Sequence, residues 1–308
     1  CLVKEIDTNL HLLQTGRGEV KYDRLVLANG ANTIRAPIQG SASEKVLSVN
    51  DLEDYRKFHV QLKKGNHIVI IGAGLIGCEF ANDLSNIEAN ICIVDMAPRA
   101  LGHLLPEQVA TQLQEKLSEL DVNWYFENSV TDVDYSDSRL LVTLKDGTKI
   151  MTDMVLSAIG LRPDLELANT ANLEVERGLK VDRYMRTSNK NIYALGDCVQ
   201  VEDLTLPFVM PLMTSARALA ATLAGEETAV KYPAMPVALK TPYYPIVVCP
   251  VPRQINGIWE VESTEQGMRA LFKDEQNNIV GFALTGELIA EKATLTKQVL
   301  GWLPNPIS

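Results

Sequence analysis

The chain has 308 residues, 46% apolar and 22% charged, the balance of a folded globular protein of about two domains at roughly 150 residues each. Its 29 Lys and Arg against 39 Asp and Glu give a net charge of −10, which argues against a dedicated nucleic-acid binder. The longest apolar-plus-Gly run, Ile68–Cys78, falls short of the roughly 18 residues of a membrane-spanning helix, so no membrane insertion is expected. The five cysteines (Cys1, Cys78, Cys92, Cys198, Cys249) form no CxxC pair, and the four histidines (His11, His59, His67, His103) form no ligand-like cluster. No metal site is expected, and the odd cysteine count suggests a reducing, cytoplasmic setting.

In chain order, the first clear element is an apolar strand within Asp23-Arg24-Leu25-Val26-Leu27-Ala28-Asn29-Gly30. The strongest local pattern begins at His67. His67–Ile71 is a β-branched apolar run that predicts a buried parallel strand. Gly72-Ala73-Gly74-Leu75-Ile76-Gly77 follows, and then a helix over Cys78–Asn86 with Phe80, Ala81 and Leu84 on one face. A second strand, Asn90–Val94, ends at Asp95. Pro106–Leu120 reads as an amphipathic helix, and Val122–Phe126, Ser129–Asp134 and Leu140–Leu144 read as strands before a turn at Lys145-Asp146-Gly147-Thr148. Asp153–Ile159 is a further apolar strand ending at Gly160. Ile192–Leu195 is a short strand closing on Gly196-Asp197, and Met210-Pro211 opens a helix over Leu212–Ala224. Beyond residue 230, Lys231–Pro252 is rich in Pro and β-branched residues. Ile258–Val261, Met268–Phe272 and Ile279–Leu284 alternate like antiparallel strands, and a helix is predicted over Glu287–Val299.

Two stretches repeat. Asp23–Gly30 and Asp153–Gly160 share the order Asp, apolar or small residues, Ala, any residue, Gly, at an offset of 130 residues. Such a match also arises between unrelated buried strands. Taken as a repeat, each strand closes one dinucleotide-binding half. The second half opens at Gly72, 88 residues before Gly160, so the first half should open about 58 residues before Cys1. The chain is accordingly expected to lack its natural N-terminus.

The Gly-rich loop has the context that gives it meaning: a strand before, a helix after, and a second strand ending in an acid. Gly72 would allow the tight turn, Gly74 the approach of backbone to a pyrophosphate, and Gly77 close helix–strand packing. The intervening Ala73, Leu75 and Ile76 line the same loop, and Gly160 ends the facing strand. Phosphates would sit at the positive end of the helix. Asp95, 23 residues after Gly72, stands where an acid binds the adenosine ribose hydroxyls and repels a 2′-phosphate, which favours NADH. Arg99 is the opposing feature, since a nearby Arg can accept that phosphate. Glu79, two residues past Gly77, either complements the helix dipole or lies near a nicotinamide or flavin.

The run Arg186–Cys198 with its following helix resembles the second flavin signature of the two-dinucleotide-domain flavoprotein reductases. Together, Ile71–Leu84, Asp197-Cys198, Val209-Met210-Pro211-Leu212-Met213 and Lys240-Thr241-Pro242 resemble the rubredoxin–NAD(+) reductases, within the FAD-dependent pyridine nucleotide-disulfide oxidoreductases. The resemblance runs over essentially the whole chain and departs from the family in lacking an N-terminal FAD fingerprint. It implies an α/β fold: two Rossmann-like dinucleotide-binding domains, the FAD domain incomplete, plus a small C-terminal α+β domain. The implied segments are 1–65 and 163–230 for FAD, 66–162 for NAD and 231–308 for the C-terminal domain. It also implies FAD and NADH as cofactors and rubredoxin, a small acidic iron protein, as electron acceptor, in support of bacterial alkane hydroxylation. Carried over by position, Val3 would lie against the FAD adenine, Glu79 near the flavin and Asp197 on the ribityl chain. Val209 would meet the isoalloxazine, and Lys240 would place a cation beside it. By residue chemistry alone, Asp197 also suits a turn and Lys240 a solvated strand charge. No catalytic side chain is required, because the cofactors carry the chemistry. Reduction of a ferredoxin, a flavorubredoxin or a disulfide stays open as an alternative, as does a non-catalytic NAD(H)-binding sensor.

Overall fold

A computed structural model describes residues 1–252 and 254–303. Its α-helices are α1 (Leu52–His59), α2 (Leu75–Leu84), α3 (Glu107–Ser118), α4 (Glu166–Thr170), α5 (Val209–Leu223) and α6 (Lys292–Thr296). The chain divides into two compact units. One holds residues 1–32, 161–233 and 301–303; the other holds Thr33–Gly160 and Ala234–Leu300.

The larger unit is built on a five-stranded parallel sheet in the order Leu47–Ser48, Met154–Ser157, His67–Ile71, Asn90–Val94, Val122–Tyr125. Ile68, Val69, Ile70, Ile91, Ile93 and Val94 are fully buried, as strands covered on both faces require. On one face, α2 packs Cys78, Ala81 and Leu84, and α3 packs Val109, Ala110, Leu113 and Leu117. On the other, the antiparallel strands Val130–Ser136, Arg139–Leu144 and Lys149–Thr152 bury Val130, Val133, Val142 and Leu144 against Val69, Val94 and Val155.

The C-terminal segment of this unit is a five-stranded antiparallel sheet, ordered Val237–Leu239, Ile246–Cys249, Ile279–Thr285, Gly267–Asp274, Gly257–Thr264. Its side chains split by the strand period of two. Ile246, Val248, Ala270 and Ala283 join the core beneath α2 and α3, whereas Val247, Cys249, Phe282 and Leu284 face Leu295 and Val299. The closing helix expected over Glu287–Val299 is instead a 3₁₀ stretch, Gly286–Glu291, followed by α6. Gly286 leaves the strand at φ +58° within 2.4 Å of Gln266 O for any added Cβ, so the chain turns tightly before the α-helix can start.

The smaller unit has an antiparallel meander (Val3–Asp7, Leu12–Thr15, Gly18–Lys21) and two parallel pairs, Leu25–Leu27 with Ile192–Ala194 and Leu179–Val181 with Val199–Val201. α5 begins at Val209 with Phe208 as its N-cap, so Pro211 is its third residue and not its first. Proline is tolerated there because the first-turn N–H groups have no helical partner.

The sequence repeat extends past its motif in three dimensions. Gly30 and Gly160 both adopt positive φ, +70° and +102°. Asp164, four residues after Gly160, donates its N–H to Gly30 O at 3.0 Å, and Ile34, four residues after Gly30, donates to Gly160 O at 3.0 Å.

Candidate cofactor site

The Gly-rich loop separates three demands that the sequence alone leaves superimposed. Gly72 sits at φ +108°, and a Cβ on it would come within 2.6 Å of Ala158 O. A Cβ on Gly77 would lie 1.9 Å from Gly72 O, so the helix can approach the loop only as glycine. Gly74 differs. Its φ of −78° and ψ of −171° suit any residue, and a Cβ there would meet nothing within 4 Å. The chain itself does not need a glycine at 74, so its missing side chain leaves room for something outside the chain.

That room lies at the N-terminus of α2, where Gly74 is the N-cap and no side chain caps the helix. The first-turn amides at Leu75, Ile76 and Gly77 therefore face outward as unfilled donors. Ala73 is buried and Ile76 exposed. Asp95 is engaged on both oxygens: Ala73 N–H donates to Oδ2 at 2.5 Å and Ala97 N–H to Oδ1 at 2.7 Å. It ties the loop to the end of Asn90–Val94. Leu101 N–H donates to Ala73 O at 3.0 Å, and Gln114 of α3 accepts from Ala100 N–H at 3.0 Å. Gln114 and Leu101 thus brace the loop from positions that carry no sequence signal. Arg99 is half-buried, 3.9 Å from the Glu107 carboxylate, with its Nε buried and without a hydrogen-bond partner.

Glu79 and Lys240, 161 residues apart, meet. The Glu79 carboxylate accepts from the Lys240 backbone N–H at 2.9 Å. The contact runs through the main chain, and the exposed Lys240 ammonium has no ion-pair partner among the described residues.

In the smaller unit, Val3 is half-buried at the start of its strand. Asp197 follows Gly196 (φ +88°) at the end of Ile192–Ala194. Burial pushes the Asp197 carboxyl above its ordinary range, and it takes no hydrogen bond among the described residues. Val209 stands at the uncapped start of α5 and is 73% exposed, with Met210 and Met213 also open to solvent.

The cysteines are all free. Burial, reinforced by the carboxylates of Asp95 and Glu79, pushes the Cys78 thiol up to about 12, and burial pushes Cys249 up to about 12 as well. Since only the thiolate reacts, Cys78, Cys198 and Cys249 should resist a thiol reagent at pH 8 until the protein unfolds. Cys1, which is exposed, should label in the fast phase. Rapid native-state labelling of Cys78 would contradict the packing of α2. No group of His, Cys, Asp and Glu among the described residues could hold a metal ion, and no helix there is long and apolar enough to cross a membrane.

Comparison with known proteins places these features in a family. Residues 3–221 match a family described as pyridine nucleotide-disulphide oxidoreductase, and residues 229–299 match one described as rubredoxin binding C-terminal domain. The chain is 47% identical over 284 residues to a rubredoxin-NAD(+) reductase of Alcanivorax borkumensis, covering 92% of this chain and 74% of that protein. It is 43% identical over 311 residues to the enzyme of the same name from Acinetobacter baylyi, covering 98% and 79%. In fold it is similar to a ferredoxin reductase from Rhodopseudomonas palustris, with a TM-score of 0.87 at 22% identity over 97% of this chain and 76% of that one. The chain belongs to the pyridine nucleotide-disulphide oxidoreductase family.

Proposed function

We propose that this protein oxidises NADH and passes the electrons, by way of FAD, to rubredoxin. The observation that carries the reading is the match of residues 229–299 to a rubredoxin-binding domain, on a chain that also holds a complete dinucleotide loop. The residues fit the cofactors. Gly74 leaves an open cradle at the N-terminus of α2, suited to the pyrophosphate of NADH. Gly72, Ala73, Leu75, Ile76 and Gly77 shape that cradle, and Gly160, expected to end the facing strand, lies three residues beyond it because that strand stops at Ser157. The half-buried Asp197 carboxyl, which takes no hydrogen bond among the described residues, suits the hydroxyls of a ribityl chain. The exposed apolar start of α5 at Val209 suits a flat ring, and Val3, Glu79 and Lys240 complete the set proposed for FAD.

When bound, FAD supplies the conversion between hydride and single-electron transfer. The protein's residues bind and orient. Asp95 holds the loop and would stand by the ribose, the α2 amides would hold the nucleotide phosphates, and Asp197 would fix the flavin side chain. No side-chain acid or nucleophile is needed. The family resemblance supports a role in alkane hydroxylation, and the odd cysteine count supports a reducing, cytoplasmic setting.

The test is anaerobic titration of the FAD-loaded enzyme. NADH should bleach the visible flavin bands, and oxidised rubredoxin should restore them, two rubredoxins per NADH because each iron takes one electron. A colourless protein, or one that reduces a disulfide well and rubredoxin poorly, overturns the reading. For nucleotide choice, Asp95→Ser removes a carboxylate that repels a 2′-phosphate and charge-assisted bonds worth about 1.5–3 kcal/mol each. The preference for NADH over NADPH in kcat/KM should fall about tenfold or more. Equal use of the two nucleotides by the unsubstituted enzyme would remove Asp95 from this role.

A further inference from the structure

The turn Lys240–Tyr244 of the C-terminal domain is fastened to the nucleotide-binding helices by polar contacts that the dinucleotide motif does not use. Glu79 of α2 accepts from Lys240 N–H at 2.9 Å. One turn further along the same helix face, Asn82 accepts from Tyr243 N–H at 3.2 Å. At the end of α3, Glu119 accepts the Tyr243 hydroxyl at 2.6 Å. Lys116 and that hydroxyl hold the Glu119 carboxyl below its ordinary range, so the acceptor stays ionised at working pH. The Tyr244 hydroxyl donates to Gln112 Oε1 and accepts from the hydroxyl of the buried Thr285. Within the turn, Tyr244 N–H returns to Thr241 O at 3.0 Å and the Thr241 hydroxyl donates to Tyr244 O at 2.7 Å.

The arrangement is lopsided. Asn82 is 4% exposed, whereas Tyr243, whose backbone N–H it holds, is 47% exposed, and the neighbouring Lys240 ammonium has no ion-pair partner among the described residues. One buried acceptor, Asn82, and two acceptors nearer the surface, Glu79 and Glu119, thus hold a turn whose outward side is a lysine and a tyrosine. An exposed hydrogen bond adds little to folding, but a surface already ordered before docking avoids the ordering cost on association.

We propose that Asn82 and Tyr243 are positioning residues that hold the Lys240 turn in the conformation that docks acidic rubredoxin. The inference rests on rubredoxin being the acceptor.

The test uses the FAD-loaded enzyme and its Asn82→Leu, Tyr243→Phe and Lys240→Gln variants. The measurements are the Kd for oxidised rubredoxin and NADH turnover with a small uncharged dye. N82L and Y243F should each weaken rubredoxin binding about three- to tenfold while leaving dye turnover unchanged. Combined with K240Q, N82L should add little further loss, because its effect passes through Lys240. Full additivity with K240Q, or an unchanged Kd in both N82L and Y243F, overturns the inference alone. Failure of the unsubstituted enzyme to bind and reduce rubredoxin overturns the acceptor reading and the inference with it.

Discussion

Gly74→Val is expected to fold normally and lose NADH. The backbone at Gly74 is in an extended conformation open to β-branched residues, and its Cβ would meet nothing within 4 Å. The melting temperature should therefore stay within a few degrees of the parent. The isopropyl group would instead fill the space in front of the Leu75, Ile76 and Gly77 amides. Losing two charge-assisted phosphate bonds at the low end of about 1.5 kcal/mol each corresponds to roughly a 100-fold rise in the NADH KM. Gly77→Ala supplies the opposite control. Its Cβ would lie 1.9 Å from a backbone oxygen, so the cost falls on the fold and not on the nucleotide. Should G74V oxidise NADH with a KM within threefold of the parent, the pyrophosphate does not bind at α2.

The elements that could be read in the sequence are those whose burial leaves a one-dimensional trace. His67–Ile71 is covered on both faces, so it reads as an unbroken apolar run, and α3 shows the helical spacing of Val109, Leu113 and Leu117. The meander Val3–Lys21 was not legible. Its three strands are four or five residues long and mostly half-buried or exposed, so no alternation marks them. Lys149–Thr152 escaped for the same reason, with only Thr152 fully buried. The helix after the loop starts at Leu75 and not at Cys78, because glycines that serve as loop and as helix contact read only as loop.

The candidate site divides along the same line. Distinct roles for three glycines follow from a local pattern, and the geometry at Gly72 and Gly77 has the strain and the close approach such a pattern demands. The bond between Glu79 and the Lys240 backbone joins residues 161 apart through a main-chain donor that every non-proline residue possesses. Nothing in the identity of Lys240 announces it. Asp95 also does more than its spacing suggests, since both its oxygens are committed to backbone amides and the loop depends on it. Substitution there should disturb the loop as well as the ribose contact, which is why the NADH-to-NADPH ratio is the informative measurement and the NADH KM alone is not.

Rubredoxin turnover should weaken steeply as salt rises, whereas turnover with a small uncharged dye should barely change. The charge is unevenly distributed: residues 67–230 carry a net −12, residues 1–66 carry +2 and residues 231–308 are neutral. An acidic partner is repelled by the middle segment, and because Glu79 and Glu119 of that segment stand against the Lys240 turn, approach there depends on the exposed Lys240 ammonium. Within the C-terminal domain, Arg269 is neutralised by Glu262 and Glu291, and Lys273 by Glu260, whereas Lys231, Lys240, Lys292 and Lys297 form no ion pair among the described residues, and of these Lys240 stands at the fixed turn. Redox encounters bury little area and gain their rate from steering over distances of about a Debye length, which shrinks from about 30 Å at 0.01 M salt to about 8 Å at 0.15 M. Across that range kcat/KM for rubredoxin should fall on the order of tenfold, mainly through the association rate. Lys240→Gln should flatten the dependence, because it removes the exposed cation at the proposed docking turn. A salt profile as flat with rubredoxin as with the dye, or one left unchanged by K240Q, would mean that docking is governed by shape and apolar contact, with Lys240 away from the encounter surface.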